Sequence, residues 1–471
     1  MEITLKNFRK YKYVSEFSFR RFTVFTGVNS IGKSTILKAL SIIGDSLGSD
    51  DNFKLNLSGR NLRSHGVYSA ESVFNWDSKK TEFEVNISEG DVKLKILYAE
   101  FRPNEVFVKK IRVESCIGNQ VLIELKCQKK EDHFEYRFRY AQILAAVELP
   151  ISAILDLLVD GYDSVKWEKQ SEDLRELAKQ FLMKLPQSKK MLSWVTNTED
   201  PISSLGNLEK ELLSTLLQTM DFSKVHPDSN KGKRRRLQFM ELFKPLRMLA
   251  EIFSLFAAVN HLSSKRSVAP RIVMPWDESF EDYKNWSTKK LSRNAHDFVV
   301  KWIKDFSIGD AFKIHLVEGV GIKIEIRQRG KWINLADKGM GEAQIWRIIF
   351  TLGTAMDESK NNPVHLLIEQ PDSNLHPAYQ SKLVEPILDS IDKSNSLKIS
   401  IETHSEYMIR NLMLRSKKSP DIRTHVLINY VGGQTNRADC KVIEIQEDGR
   451  LSQSFGPGFF DEASRLTMEL F

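Results

Sequence analysis

Cysteine is scarce in this chain. Its 471 residues contain three, Cys116, Cys127 and Cys440, and they are widely spaced. Such spacing indicates neither a disulfide framework nor a zinc site, and it suits a reducing compartment. Long apolar runs are also missing. The most apolar stretch, residues 248–259, is too short to span a bilayer and carries Glu251. The opening Met1-Glu2-Ile3-Thr4-Leu5-Lys6 lacks the apolar core of a secretion signal. Charge of one sign is only mildly in excess, at +7 with a pI of about 9.0. That permits a nucleic-acid partner without requiring one. These absences predict a soluble, cytoplasmic protein with no membrane partner. What is present, 41% hydrophobic and 28% charged residues, suffices for one large domain with an insertion, or for two domains.

The stretch Gly27-Val28-Asn29-Ser30-Ile31-Gly32-Lys33-Ser34-Thr35 fits G-x-x-x-x-G-K-[ST]. It follows a strand-like run, Phe22 to Thr26, and opens a helix-like run, which is the context this phosphate-binding loop needs. Its glycines let backbone N–H groups wrap a phosphate, and the helix N-terminus adds partial positive charge. Asn29, Gly32, Lys33, Ser34 and Thr35 are the candidate nucleotide-binding set. Lys33 would reach the β- and γ-phosphates of ATP, and the Ser34 hydroxyl would ligate Mg²⁺.

Along the chain, an opening strand precedes a second strand over residues 17–26, and the helix after the loop runs to about Leu47. Period-two alternation then dominates to residue 140. It runs through Phe83, Val85 and Ile87, through Val92, Leu94, Ile96 and Tyr98, and through Phe134, Tyr136, Phe138 and Tyr140. Closely spaced strands without intervening helices predict an antiparallel meander. Residues 141–262 change to helical spacing in three runs and read as a helical insertion. The insertion holds the densest basic run, Lys231, Lys233, Arg234, Arg235 and Arg236. Two readings stay open for it: a solvated loop, or a surface for nucleic-acid phosphates or a partner. Residues 263–471 return to strands and helices. The expected division is therefore 1–140, 141–262 and 263–471, in the α/β class.

Three motifs in the last segment carry chemistry. Asp337-Lys338-Gly339-Met340-Gly341-Glu342-Ala343-Gln344 is a Gly-rich turn that opens a helix. The apolar run Val364-His365-Leu366-Leu367-Ile368 ends in Glu369-Gln370-Pro371-Asp372. This is the form of a Walker B strand, whose acid binds Mg²⁺ opposite the phosphate loop. A second apolar strand ends in Glu402-Thr403-His404-Ser405, and a His past a strand's carboxyl end can face a γ-phosphate.

With these residues in view, the chain resembles the ABC-type ATPases of the SMC-like class. That branch contains the RecF repair protein and the ATPase halves of OLD-family nucleases. It more closely resembles bacterial stand-alone ATPases with E-Q-P-E-x-H-L-H-P, E-T-H-S and a C-terminal G-F-F-D-E, here Glu369 to Pro377, Glu402 to Ser405 and Gly458 to Glu462. The resemblance covers roughly residues 1–140 and 260–471. It implies an ATPase head that dimerises, with ATP between one subunit's phosphate loop and the other's signature turn. On this resemblance Glu369 is the metal-binding acid, and Gln370 stands where the catalytic Glu usually is. Asp372 is an alternative base, Asn374 lies in the D-loop, His404 is the switch His, and Gly339 and Gly341 belong to the signature turn.

Three departures from the pattern matter. Gln370 cannot act as a base, Gly339 replaces the signature Ser, and Ser30 and Ile31 replace the usual Gly-Ser. Together they suggest slow hydrolysis, with ATP used more as a clamp than as fuel. OLD nucleases continue into a metal-dependent nuclease domain, and no acidic cluster for one, nor an HNH pattern, is visible here. The resemblance to ATPase subunits of Septu, retron and PARIS antiphage systems implies a separate effector, a nuclease, as partner. A RecF-like DNA clamp and a nucleotide-locked scaffold are the alternatives.

Overall fold

Seven strands of the N-terminal half pair in an antiparallel ladder, and several of them show the alternation of apolar and polar residues that a half-buried strand requires. The computed structural model describes residues 1–29, 31–47, 54–57, 69–90, 92–115, 121–129, 133–139, 192–197, 256, 258–264, 269–277, 279–288, 292–432, 439–455 and 459–470. The chain forms two compact units. The first comprises Met1–Asn7, Ser46–Leu55 and Ser78–Phe253, and the second Phe8–Asp45, Asn56–Asp77 and Ser254–Phe471.

In the first unit the order is β1 (Glu2–Lys6), β4 (Glu82–Glu89), β5 (Val92–Arg102), β6 (Glu105–Ser115), β7 (Val121–Lys129), β8 (His133–Arg139) and β9 (Leu192–Asn197). Register sets Ile3 opposite Ile87, Leu5 opposite Val85, Val85 opposite Ile96 and Ile96 opposite Ile111. One face of the ladder is thereby buried along β1, β4, β5 and β6, because side chains two apart share a face. The last strand lies inside the span read as a helical insertion and extends the meander by pairing with β8. A six-residue run was too short to register against the helical spacing around it. The three helical runs of that span, and the basic run Lys231 to Arg236, lie outside the described residues.

The second unit is built on a six-stranded sheet. Its order is β10 (Val259–Leu262), β14 (Val364–Glu369), β15 (Leu397–Glu402), β3 (Phe22–Gly27), β16 (Val426–Gly432) and β17 (Asp439–Ile443). Five of these strands are parallel, and β17 returns antiparallel to β16. Every residue of β3 and of β14 is buried. Parallel strands covered on both faces carry continuous rather than alternating apolar sequence. The expected strand over residues 17–26 is in fact two, β2 (Ser15–Ser18) and β3. The Thr23 hydroxyl accepts from the Arg20 N–H (3.0 Å) and donates to the Arg20 carbonyl (3.1 Å), which turns the chain between them.

A smaller antiparallel sheet holds β11 (Ala311–Val317), β12 (Gly321–Gln328) and β13 (Lys331–Asn334). Among the described residues the α-helices are α1 (Lys33–Leu47), α2 (Phe280–Thr288), α3 (Arg293–Asp305), α4 (Met340–Glu358), α5 (Pro377–Lys382), α6 (Val384–Asp392), α7 (Glu406–Lys418), α8 (Pro420–His425) and α9 (Glu462–Leu470). Among the described residues no helix is long and apolar enough to cross a membrane. Trp346 and Phe350 of α4 stack at 5.6 Å, and Tyr283 and Trp286 of α2 lie 4.7 and 4.8 Å from Phe350. This aromatic layer anchors α4, and with it the Gly-rich turn at its start.

His365 on β14 is fully buried and shares a 2.9 Å hydrogen bond with the Ser400 hydroxyl on β15. Burial, with a smaller contribution from Lys398, lowers its pKa to about 3. The unfolded chain therefore takes up a proton near pH 6.5 that the folded chain refuses. Stability from this group is complete above pH 6.5 and falls as pH drops toward 3. Between pH 7.5 and pH 5 the expected loss is about 2 kcal/mol. Denaturant melts at the two pH values check this. His365→Gln, which keeps a donor for Ser400 but does not titrate, should remove that part of the slope.

Candidate functional site

Three neighbouring parallel strands, β14, β15 and β3, end at the same edge of the sheet. That carboxyl edge is where parallel α/β sheets place ligands. The phosphate loop leaves β3 at Gly27, whose φ of +129° is one that side chains rarely adopt. A Cβ there would stand 2.1 Å from the Val431 carbonyl oxygen, so the loop's departure is possible only with glycine. Gly32 has φ +112°, and its Cβ would meet the Tyr11 ring at 2.9 Å. The buried Tyr11 hydroxyl donates to the Gly32 carbonyl. Tyr11 thus holds the loop from outside the motif, and sequence spacing gave no sign of it.

Lys33 is the first residue of α1 and is 3% exposed. Its ammonium donates to the carbonyls of Val28 (2.6 Å) and Gly27 (3.2 Å). Burial lowers its pKa, opposed by Glu402 and assisted by Lys10. The Thr35 N–H bonds the Gly32 carbonyl at 2.8 Å and closes the turn. Asn29 is exposed on the loop, and Ser34 is half-buried.

Glu369 closes β14 and Glu402 closes β15, directly opposite each other in register. Both are buried. His261 on β10 lies 3.7 Å from Glu369 through Nε2 and Oε1. The Ser34 hydroxyl lies close enough to Glu402 to favour its ionised form. Burial raises the Glu402 pKa to about 7; the Ser34 hydroxyl and the charges of Lys33 and Lys38 pull it down, and Glu369 pushes it up. Gln370 sits in the left-handed region at φ +43°, and its N–H donates to the Glu402 carbonyl at 2.7 Å. A non-glycine residue there is held by its surroundings, a feature that clusters at functional sites.

Asp372 accepts from the Thr403 hydroxyl at 2.5 Å, and the Ser405 N–H bonds the same hydroxyl at 3.0 Å. The acid turn and the His404 turn are thereby laced together. His404 faces solvent. Its pKa is lowered by partial desolvation and by Lys33, against an opposing pull from Asp372. Lys33, Ser34, Glu369, Asp372 and His404 are therefore one electrostatic neighbourhood, joined by Glu402, the first residue of the E-T-H-S motif, to which the motif assigns no role.

The Gly-rich turn belongs to a second cluster. Gly339 caps α4, with its N–H bonded to the Glu342 carboxylate at 3.2 Å. The buried Gln344 amide donates to the Pro371 carbonyl and to the Ser373 hydroxyl, each at 3.1 Å. A Cβ on Gly341 would lie 3.4 Å from Leu375 and 3.6 Å from the Asn374 carbonyl. Asn374 is exposed with φ +57°. The turn at Gly339 and the turn at Asn374 thus form one continuous surface, tied by Gln344 to the strand that carries Glu369.

A family model described as "AAA ATPase domain" matches residues 1–409. The chain belongs to the AAA ATPase domain family. A second model, described as "Protein of unknown function (DUF3696)", matches residues 423–470. No curated protein matches the chain by sequence. Among solved structures, the Smc head bound to the C-terminal winged-helix domain of ScpA is 15% identical, with 95% of this chain and 98% of that one covered and a TM-score of 0.38. The Smc head with an extended coiled coil, bound to the C-terminal domain of ScpA derived from Pyrococcus furiosus, is 14% identical, with 100% and 98% covered and a TM-score of 0.36. The SMC head domain from Thermotoga maritima is 10% identical, with 94% and 98% covered and a TM-score of 0.33. The family agrees with the ATPase class read from the phosphate loop and its partner acid, and the α/β fold has the expected mixed sheet with antiparallel strands beside it.

The donor set suits a hard divalent cation. It offers one hydroxyl and two carboxylates, all oxygen, with one buried carboxylate oxygen of Glu402 lacking a hydrogen-bond partner.

Proposed function

We propose that this chain binds and slowly hydrolyses Mg²⁺·ATP, and serves as the sensor and scaffold subunit of a bacterial antiphage complex. Its effector, a nuclease, is a separate cytoplasmic protein. The observation that carries the catalytic half is local. Lys33, Ser34, Glu369 and Glu402 converge at the carboxyl edge, while the residue after Glu369 is an amide. Lys33 would exchange its loop carbonyls for the β- and γ-phosphates. Ser34 and Glu369 would hold Mg²⁺, which supplies charge neutralisation to the phosphates when bound. His404 would contact the γ-phosphate, and Asp372 or a positioned water would stand in for the missing base. The paired surface of Gly339, Gly341 and Asn374 is suited to close on a second copy's nucleotide.

Slow turnover in a closed pair makes a timer that holds a partner until ATP is lost. The defence assignment rests on the resemblance of Glu369 to Pro377, Glu402 to Ser405 and Gly458 to Glu462 to stand-alone defence ATPases. Cells carrying this gene together with its neighbouring effector gene should resist phage by orders of magnitude in plaque number, and either gene alone should not. Full protection by this gene alone, or purified chain that degrades DNA or RNA and loses that activity on a point change, would overturn the two-component reading.

A further inference from the structure

Glu402 opens the E-T-H-S motif without an assigned role, yet it is the most enclosed acid of the site. It is 3% exposed and stands opposite Glu369 across β14 and β15 and opposite Phe25 across β15 and β3. The Ser34 hydroxyl is near enough to favour its ionised form. Its Oε2 is buried without a hydrogen-bond partner. Two carboxylates at one buried strand edge repel, and a buried charge is tolerated when a counter-charge completes it. A buried carboxylate oxygen without a hydrogen-bond partner is an acceptor that a cation would complete. Gln370, beside Glu369, cannot provide a second negative oxygen.

We propose that Glu402 is a second carboxylate ligand of the divalent cation, so that the metal is held by Ser34, Glu369 and Glu402 and the charge absent at Gln370 is supplied from the neighbouring strand. This rests on the Mg²⁺·ATP reading above. The site differs from one with a single acid in requiring two ionised carboxylates. It should therefore bind metal more tightly relative to nucleotide, and should accept Mn²⁺ as a spectroscopic stand-in.

The test is a Mn²⁺ titration of the full chain followed by electron paramagnetic resonance, with a non-hydrolysable ATP analogue present, beside analogue binding measured in EDTA. Glu402→Gln keeps the side chain's shape and an oxygen acceptor for Ser34. It should weaken Mn²⁺ by on the order of 100-fold, the upper end of what outer contacts alone produce. Metal-free analogue affinity should not fall, because removing a negative charge beside Lys33 does not disfavour an anionic nucleotide. Glu402→Asp, which keeps the charge, should retain more Mn²⁺ affinity than the amide. Unchanged Mn²⁺ affinity in Glu402→Gln would overturn the inference and leave the ATPase reading intact. Equal loss with and without metal would also overturn it, by showing that Glu402 only shapes the loop. Absence of any metal–nucleotide coupling in the wild type would overturn both.

Discussion

Lys33→Ala should abolish nucleotide turnover, by on the order of 10³-fold or more in kcat/KM, comparable to removing a preorganised transition-state donor. Lys33 is already drawn out of water, and its ammonium is held by two loop carbonyls at 2.6 and 3.2 Å. Moving from those neutral acceptors to anionic phosphate oxygens replaces bonds charged on one side with bonds charged on both in a desolvated site. The loop itself should survive. Its path is also set by the positive φ of Gly27 and Gly32 and by the Tyr11 bond, which remain when the lysine bonds to Gly27 and Val28 are lost. Phosphate-release assays at saturating Mg²⁺, with thermal melts as the control for folding, check this. A variant as fast as wild type would remove the site from Lys33.

The second large effect concerns adjacent positions with opposite signs. Glu369→Gln should reduce Mg²⁺-dependent hydrolysis strongly, because an amide oxygen cannot replace the charge a hard cation requires. Gln370→Glu should accelerate it by about 10²-fold, the lower range of general-base contributions. The Gln370 backbone is already in the left-handed region and anchored by its N–H to Glu402. The isosteric acid therefore adds a proton acceptor without a new backbone demand. Multiple-turnover rates across Mg²⁺ concentrations separate the two variants. A Gln370→Glu chain slower than wild type would count against the missing-base argument while leaving the metal role of Glu369 standing.

Much of the second unit is visible in local pattern. A buried parallel strand is a short apolar run, and both Phe22–Gly27 and Val364–Glu369 are that. The helix after the phosphate loop ends at Leu47 as its spacing suggests. The site is legible only where a motif is contiguous. Glu402 escaped because its meaning depends on β15 lying between β14 and β3, a fact of strand order that no local spacing contains. His261 and Tyr11 escaped for the same reason. One reaches Glu369 from another strand, and the other touches Gly32 from 21 residues away in sequence. A signal for Glu402 did exist: a second apolar strand that, like Val364–Glu369, ends in an acid. The strand Leu192–Asn197 was hidden by the helical periodicity on either side of it, and the neighbouring basic run lies outside the described residues.

The proposed function makes this chain a slow, Mg²⁺-dependent ATPase acting through Lys33, Glu369 and Glu402. Single-turnover hydrolysis tests it most directly, with protein in excess over γ-labelled ATP and rapid filtration to separate bound from free nucleotide. The expected result is retention of ATP on the protein, followed by slow conversion to ADP and phosphate that requires Mg²⁺ and is absent in Lys33→Ala. ATP that is never retained, or label released equally fast without Mg²⁺ or in the Lys33→Ala chain, would contradict it.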